Sequence, residues 1–180
     1  MTETVHPPVP AGYRRIDAVR VRETVGRGLE EFTVGEIIEH RPGRTVTTTD
    51  HALTLALTGN VAPVHSDQQF CEATGRTEPL VCGQVTLGIV LGASVRSTSS
   101  LTTASLCLDG LRLTHPVHVG DTLYAETETL SARRSASNPD NGVITCRTTG
   151  YNQHGEQVIT FTRTFLVPAD ADTVRDTTGY

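Results

Sequence analysis

From residue 104 onward the chain changes to a hydrophobic period of two. Four stretches carry it, 104–113, 122–131, 142–151 and 157–167, separated by HPVHVGD, SNPDNG and NQHG. Alternation bounded by Gly, Pro, Asn and Asp predicts successive strands joined by turns. Upstream, residues 83–96 (GQVTLGIVLGASVR) are apolar on nearly every face, which predicts a helix buried all round. Gly88 and Gly92, four residues apart, lower its helix propensity and imply another backbone packed closely against it. The β-branched run 44–49 (RTVTTT) predicts a strand. A helix is expected to follow, capped by Asp50, with Leu53, Ala56 and Leu57 on one face and Gly59 as its stop. A second short helix is expected over 67–74, capped by Ser66 or Asp67 and ended by Gly75. Pro63 prevents the intervening GNVAPVHS from being helical throughout, leaving a tight loop held at both ends. A buried helix followed by antiparallel strands is an α+β layout in which one sheet wraps one helix.

The ends read differently. Residues 1–12 are Pro-rich and expected to be irregular, and residues 169–180 (ADADTVRDTTGY) are polar and expected to fray. The expected organisation is an N-terminal extension over 1–27, one domain over 28–168 and a flexible C-terminal tail over 169–180.

Composition narrows the function classes. The chain has 180 residues, of which 29 are Thr and none is Lys, consistent with substantial sheet. A net charge of -5 and no basic run longer than two residues argue against a nucleic-acid or anionic-membrane binder. No apolar stretch reaches the ~18 residues needed to cross a bilayer. The opening MTETVHPPVP has neither a basic nor an apolar leader region, so a cytoplasmic location is expected. Cys71, Cys82, Cys107 and Cys146 form no C-x-x-C pair and are expected to be reduced thiols, outside any zinc site or disulfide frame.

The stretch carrying candidate chemistry is TGNVAPVHSD, residues 58–67. It places the amide of Asn60 five residues from the imidazole of His65, with Pro63 fixing the backbone between them. Histidine can act as acid or base at neutral pH. This stretch resembles the G-D-x-N-P-x-H motif of the MaoC-like hydratases, a family that includes the R-specific enoyl-CoA hydratases. Further landmarks follow in order. Phe32–Glu36 resembles the opening F-x-V-G-D/E, Val81-Cys82-Gly83 an A-H-G before a helix, Pro116–Leu123 a P-V-x-x-G-D-T-L, and Gly150–Glu156 a G-Y-N-Q-x-G-E. The T-G-N wording resembles mesaconyl-CoA and itaconyl-CoA hydratases most.

The resemblance implies a single hot-dog domain and a hydro-lyase. Such an enzyme reversibly hydrates an α,β-unsaturated thioester, or dehydrates a 3-hydroxyacyl one, carried on CoA or an acyl carrier protein. His65 matches the catalytic histidine. Asn60 stands where an acidic partner usually sits. Gly83 matches the glycine whose N–H binds the thioester carbonyl oxygen. Val61, Pro63, Val64 and Cys82 are expected to line the substrate. No metal or redox cofactor is implied, and a homodimer or higher homo-oligomer is, with the thioester tunnel at the subunit contact.

An amide cannot take a proton from water, so three readings of Asn60 stay open. His65 is the only base and Asn60 orients the water or the substrate; another carboxylate, Asp67 or Asp50, supplies the missing role; or the domain binds a thioester, or supports a partner subunit, without catalysis. A hot-dog thioesterase is weaker, since residues 83–96 contain no carboxylate. Asp67 reads first as a helix cap. His115, His118 and His154 read as exposed or contact residues. Arg76, Arg96 and Arg112 are candidates for CoA phosphates or a substrate carboxylate.

Overall fold

The computed structural model describes residues 8–180. Its elements in chain order are strands β1 (Tyr13–Arg15) and β2 (Val21–Glu23), a 3-10 turn (Leu29–Glu31), β3 (Ile37–Thr45), helices α1 (Thr48–Thr58), α2 (Pro63–Ser66), α3 (Gln68–Ala73) and α4 (Gly83–Thr98), strands β4 (Ala104–Leu113), β5 (Thr122–Arg134), β6 (Asn141–Tyr151) and β7 (Gln157–Pro168), and helix α5 (Ala171–Thr178). β1 and β2 form a ribbon of their own. The other five strands form one antiparallel sheet in the order β3-β5-β6-β7-β4.

The four strands expected from alternation are all present. On β5, Leu123, Ala125, Thr127 and Thr129 are buried while Tyr124, Glu126 and Glu128 between them face outward. Cross-strand pairing aligns the buried residues into rows under α4, such as Thr127, Thr148 and Phe161. This is the α+β hot-dog arrangement: a sheet curled around one helix.

The sheet–helix contact has two chemically different halves. The N-terminal half of α4 buries Val85, Ile89 and Val90 against Leu123, Ala125, Val158, Ile159 and Phe161. Full burial of such side chains is worth about 1.5–3 kcal/mol each. The C-terminal half is polar. Arg163 on β7, 6% exposed, donates to Ser94 Oγ (2.8 Å), Thr98 Oγ1 (3.3 Å) and Ser99 Oγ (3.3 Å), and its guanidinium lies over the Phe165 ring. Beside it the buried His40 engages Thr127 Oγ1 (2.8 Å) and Ser97 Oγ (3.0 Å). Burial, followed by the charges of Arg163, Arg41 and Arg27, lowers the His40 imidazole from 6.5 to about 4. Among the described residues no carboxylate pairs with Arg163. Its charge rests on hydroxyls and on the negative end of the α4 dipole.

Several expectations are corrected. The strand expected over 44–49 is the end of a longer one: β3 stops at Thr45, and Thr47 caps α1. Asp50 is not the cap but the third helical residue of a capping box, accepting from the Thr47 N–H and hydroxyl while Thr47 accepts from the Asp50 N–H. These bonds hold the Asp50 carboxyl below its ordinary pKa. Gly59 ends α1 with φ 62, as expected. As expected, GNVAPVHS is not helical throughout: residues 59–62 are non-helical, and Pro63 opens the short turn α2 at a position where a missing N–H is harmless. α4 is not buried all round, because Gln84, Gly88, Gly92, Ala93 and Arg96 are exposed, and a side chain at Gly88 or Gly92 would meet nothing within 4 Å.

The end of the chain is not a flexible tail but helix α5, capped by Asp170. It docks through charge and not through an apolar face. The buried Arg175 donates to the Gly26 carbonyl (2.8 Å) and pairs with Glu31 (3.1 Å) and Asp172 (3.0 Å), and Arg14 pairs with Asp176. Residues 8–12 contain no helix or strand, and 1–7 of the expected irregular N-terminus lie outside the described residues. All four cysteines are free. No helix of the described residues is long and apolar enough to cross a membrane.

Candidate active site

Residues 48–82 run from the end of β3 to the start of α4, and His65 lies in α2 midway along them. Two hydrogen bonds clamp α2 to the segment leading into α4. The Leu80 N–H donates to the Val64 carbonyl (3.0 Å), and His65 Nδ1 lies 2.8 Å from the Leu80 carbonyl oxygen. A carbonyl only accepts, so neutral His65 carries its proton on Nδ1 and keeps the lone pair on Nε2. The same segment is tied to the sheet side by Val81 N–H donating to the Val117 carbonyl (3.0 Å).

Gly83 is the first residue of α4 and follows Cys82, whose side chain is fully buried. Among the described residues its N–H makes no hydrogen bond, as befits the first turn of a helix. A side chain at Gly83 would come within 2.5 Å of Leu113 Cδ1, so glycine here reflects a close approach. The structure therefore couples His65 to the helix start through Leu80.

Asn60 is arranged differently. Its Oδ1 accepts from the Ala62 N–H (3.1 Å), bracing the turn between α1 and α2, and it makes no hydrogen bond to His65. Pro63 is exposed and Val64 half-buried. Val61 is 86% exposed. The two carboxylates considered as substitutes are occupied: Asp67 accepts from the Phe70 N–H as the cap of α3, and Asp50 serves the α1 capping box and pairs with Arg44. His118 pairs with Glu78 (2.9 Å) and His115 with Glu156 (3.4 Å), while His154 stays in its exposed turn. Arg96 pairs with Glu23 at the far end of α4, and Arg76 bonds to Thr74 Oγ1.

One neighbour of His65 went unpredicted. His51 on α1 is 7% exposed, and its ring stands edge-to-face with that of His65, centroids 6.2 Å apart. The expected apolar face of α1 is wrong: Leu53, Ala56 and Leu57 are exposed, and the inward row is His51 with Leu55. The available signal was the four-residue spacing of these two. It was masked by the more conspicuous leucines. Burial, then the proximity of His65, lowers the pKa of His51, so its ring is neutral near pH 7.

Two cavities of the chain lie elsewhere. One of about 860 Å³ adjoins α5, with Glu31, Asp170 and Arg175 in its wall; one of about 540 Å³ lies by Arg41, Tyr124 and Tyr151. His65 lines neither. Exposed apolar groups include Leu57 and Val61 on the chain leading to α2 and, on the edge strand β4, Leu111 and Leu113. Among the described residues no three His, Cys, Asp or Glu side chains gather to hold a metal ion.

A family model described as mesaconyl-CoA hydratase matches residues 11–179. The chain is 32% identical over 166 residues to mesaconyl-CoA hydratase of Cereibacter sphaeroides, covering 88% of this chain and 48% of that protein. Thus it spans about half the length of the curated relatives it matches. A Mycobacterium tuberculosis protein described as a double hot-dog fold superposes with a TM-score of 0.74 and 27% identity, over 82% of this chain and 46% of that one. The unliganded R-hydratase of Pseudomonas aeruginosa superposes with a TM-score of 0.66 and 25% identity, over 81% of this chain and 88% of that one.

Proposed function

The chain belongs to the mesaconyl-CoA hydratase family of MaoC-like hot-dog proteins, and from that premise we propose that it hydrates, reversibly, the double bond of an α,β-unsaturated acyl-CoA or acyl-carrier thioester. The observation that carries the reading is the hydrogen bond from His65 Nδ1 to the Leu80 carbonyl, which leaves the Nε2 lone pair free on a ring tied to the segment that leads into α4.

In the hydration direction His65 Nε2 takes a proton from water as the water oxygen bonds to C3. The π electrons of the double bond move through C2 onto the thioester carbonyl oxygen. The Gly83 N–H, at the positive end of α4, stabilises that oxyanion. Collapse of the enolate then draws the proton from His65 to C2, restoring the neutral imidazole. The histidine ends as it began, so one base serves both half-steps. This is how the site can dispense with a carboxylate at position 60. Asn60 holds the turn and offers its NH2 group to the water or the substrate.

The substrate tunnel is formed with a second copy of the chain or an equivalent second hot-dog unit. Supporting this are the exposed face Gln84-Gly88-Gly92 of α4, where another backbone can approach, the exposed leucines of β4, and the absence of His65 from the two cavities. The half-length match to the curated relatives and the double hot-dog neighbour agree with it. Light scattering at micromolar concentration is expected to give at least a dimer, and a monomer contradicts this part.

The second reading, a thioester-binding or partner subunit without catalysis, is favoured by Asn60, whose oxygen is committed to Ala62. The deciding experiment follows enoyl absorbance with crotonyl-CoA, mesaconyl-CoA and an enoyl-carrier panel. Turnover by the parent and its loss in His65→Ala support the hydratase. No turnover, with binding of the same thioesters retained, supports the subunit.

A further inference from the structure

His51 Nε2 is buried and has no hydrogen-bond partner among the described residues. A buried polar atom left unpaired lowers stability, and such atoms are uncommon enough to require an explanation. The side-chain oxygens close by in sequence are already engaged: Asp50 by Thr47 and Arg44, Asp67 by the Phe70 N–H, and Asn60 Oδ1 by the Ala62 N–H. His65 cannot supply the bond either. Rings with centroids 6.2 Å apart are too far for their nitrogens to bond directly, and close enough to share one small polar atom between them after a slight shift. A small polar group seated between the two rings, a water or a ligand oxygen, can complete the bond.

Resting on the hydratase reading, we propose that His51 is a second catalytic residue: its Nε2 hydrogen-bonds the attacking water, or the 3-hydroxyl group formed from it, while His65 moves the proton. The assignment fits the chemistry that Asn60 leaves unfilled. A single base can move the proton, but an oxygen held at one point is free to swing. A second contact fixes it over C3, and orientation of this kind is a large part of what an enzyme site supplies. His51 undergoes no net change of protonation in the cycle. Its neutral ring, kept so by burial and by His65, either accepts the second hydrogen of the water or donates to its oxygen. Apo sites often hold such groups slightly out of reach until substrate closes them, which accommodates a nitrogen that is shielded in the free chain.

The test uses the full chain with the substrate that the thioester panel identifies, and the variants His51→Phe and His51→Gln. Phe keeps an aromatic ring against His65 and removes the unpaired nitrogen; Gln keeps a donor and an acceptor. In His51→Phe kcat is expected to fall about tenfold to a hundredfold with KM within about threefold, the signature of a contact made in the transition state. Its thermal midpoint is expected to equal or exceed the parent's, because no buried nitrogen is left unpaired. His51→Gln is expected to recover part of the loss in kcat. An unchanged kcat in His51→Phe overturns the proposal. So does a joint fall in kcat and midpoint in that variant without recovery in His51→Gln, which is the pattern of a packing residue. A parent inert toward every thioester removes the hydratase reading and this inference together. That failure is distinct, since His65→Ala then changes nothing.

Discussion

The ring of His65 is oriented by a main-chain atom: its Nδ1 lies 2.8 Å from the carbonyl oxygen of Leu80, three residues before α4 begins at Gly83. The bond needs no particular side chain at position 80. It requires only that α2 and the segment before α4 run side by side, which the bond from the Leu80 N–H to the Val64 carbonyl ensures.

A spectroscopic consequence follows. Neutral His65 should exist as the single Nδ1–H tautomer. Long-range nitrogen–proton correlations on protein labelled with 15N-histidine, above pH 8, should show one protonated Nδ1 and one lone-pair Nε2 for this residue. A mixture of tautomers would mean that the Leu80 contact is not held in solution. In an active parent, His65→Gln should lower kcat/KM by about 10²–10⁴, the usual contribution of a general base.

Asn60→Asp should leave the fold intact, since an Asp oxygen can accept from the Ala62 N–H as Asn60 Oδ1 does. If the parent is catalytically silent, this change should create measurable hydratase activity. If the parent is active through His65 alone, it should alter kcat less than about tenfold. Initial rates on the enoyl-CoA panel separate the two cases.

His40 makes stability depend on pH. Its folded pKa, about 4, lies below the ordinary 6.5. Above pH 6.5 both native and unfolded chains hold the ring neutral. As pH falls below that, the unfolded chain takes up a proton that the native chain refuses, so stability is lost down to about pH 4. The loss from this residue is roughly 3 kcal/mol. Urea unfolding of the parent and of His40→Asn across pH 4–7 should show a shallower pH dependence in the variant. Comparing the two cancels the carboxylates, which destabilise in the same direction at lower pH.

Arg163→Met should be close to neutral or stabilising, by up to about 2 kcal/mol, although it removes three hydrogen bonds. A buried charge without a counter-ion is expensive to desolvate. The hydroxyls of Ser94 and Thr98 already donate to the Leu91 and Ser94 carbonyls, so they are left with no orphan donor. The pKa of His40 should rise in this variant, without reaching 6.5, because burial and not Arg163 is its largest cause. Denaturant unfolding and an NMR titration of the histidines check both outcomes. A destabilisation above about 2 kcal/mol would show that the hydroxyl contacts outweigh the desolvation.

Local sequence was a good guide wherever short-range rules decide. The alternation in TLYAETETL is a property of consecutive residues, and β5 follows it residue by residue. Gly59 stops α1 because a left-handed residue is cheapest there, whatever lies around it. The same rules misjudged α1 itself. Composition favoured Leu53 and Leu57 as the buried face, but the helix turns His51 and Leu55 inward. Which stripe of a helix is buried depends on the crossing with α4, and no window of α1 contains that information. The tail failed for a similar reason. ADADTVRDTTGY has little apolar surface to bury, and it is ordered by the ion pairs of Arg175 with Glu31 and of Arg14 with Asp176, more than a hundred residues away in the chain.

The sequence by itself determined the strands β4 to β7, the helix they wrap and the hydratase-like order of landmarks, and it singled out His65 as a candidate, because periodicity, turn chemistry and motif spacing are written into neighbouring residues. Only the tertiary structure decided which nitrogen of His65 is free, that His51 stands against its ring, and that a buried Arg163 and a neutral His40 fill the far half of the helix–sheet contact. Those are relations between elements brought together by folding, where burial and proximity set protonation and hydrogen bonding, and neither quantity exists until the chain has closed on itself.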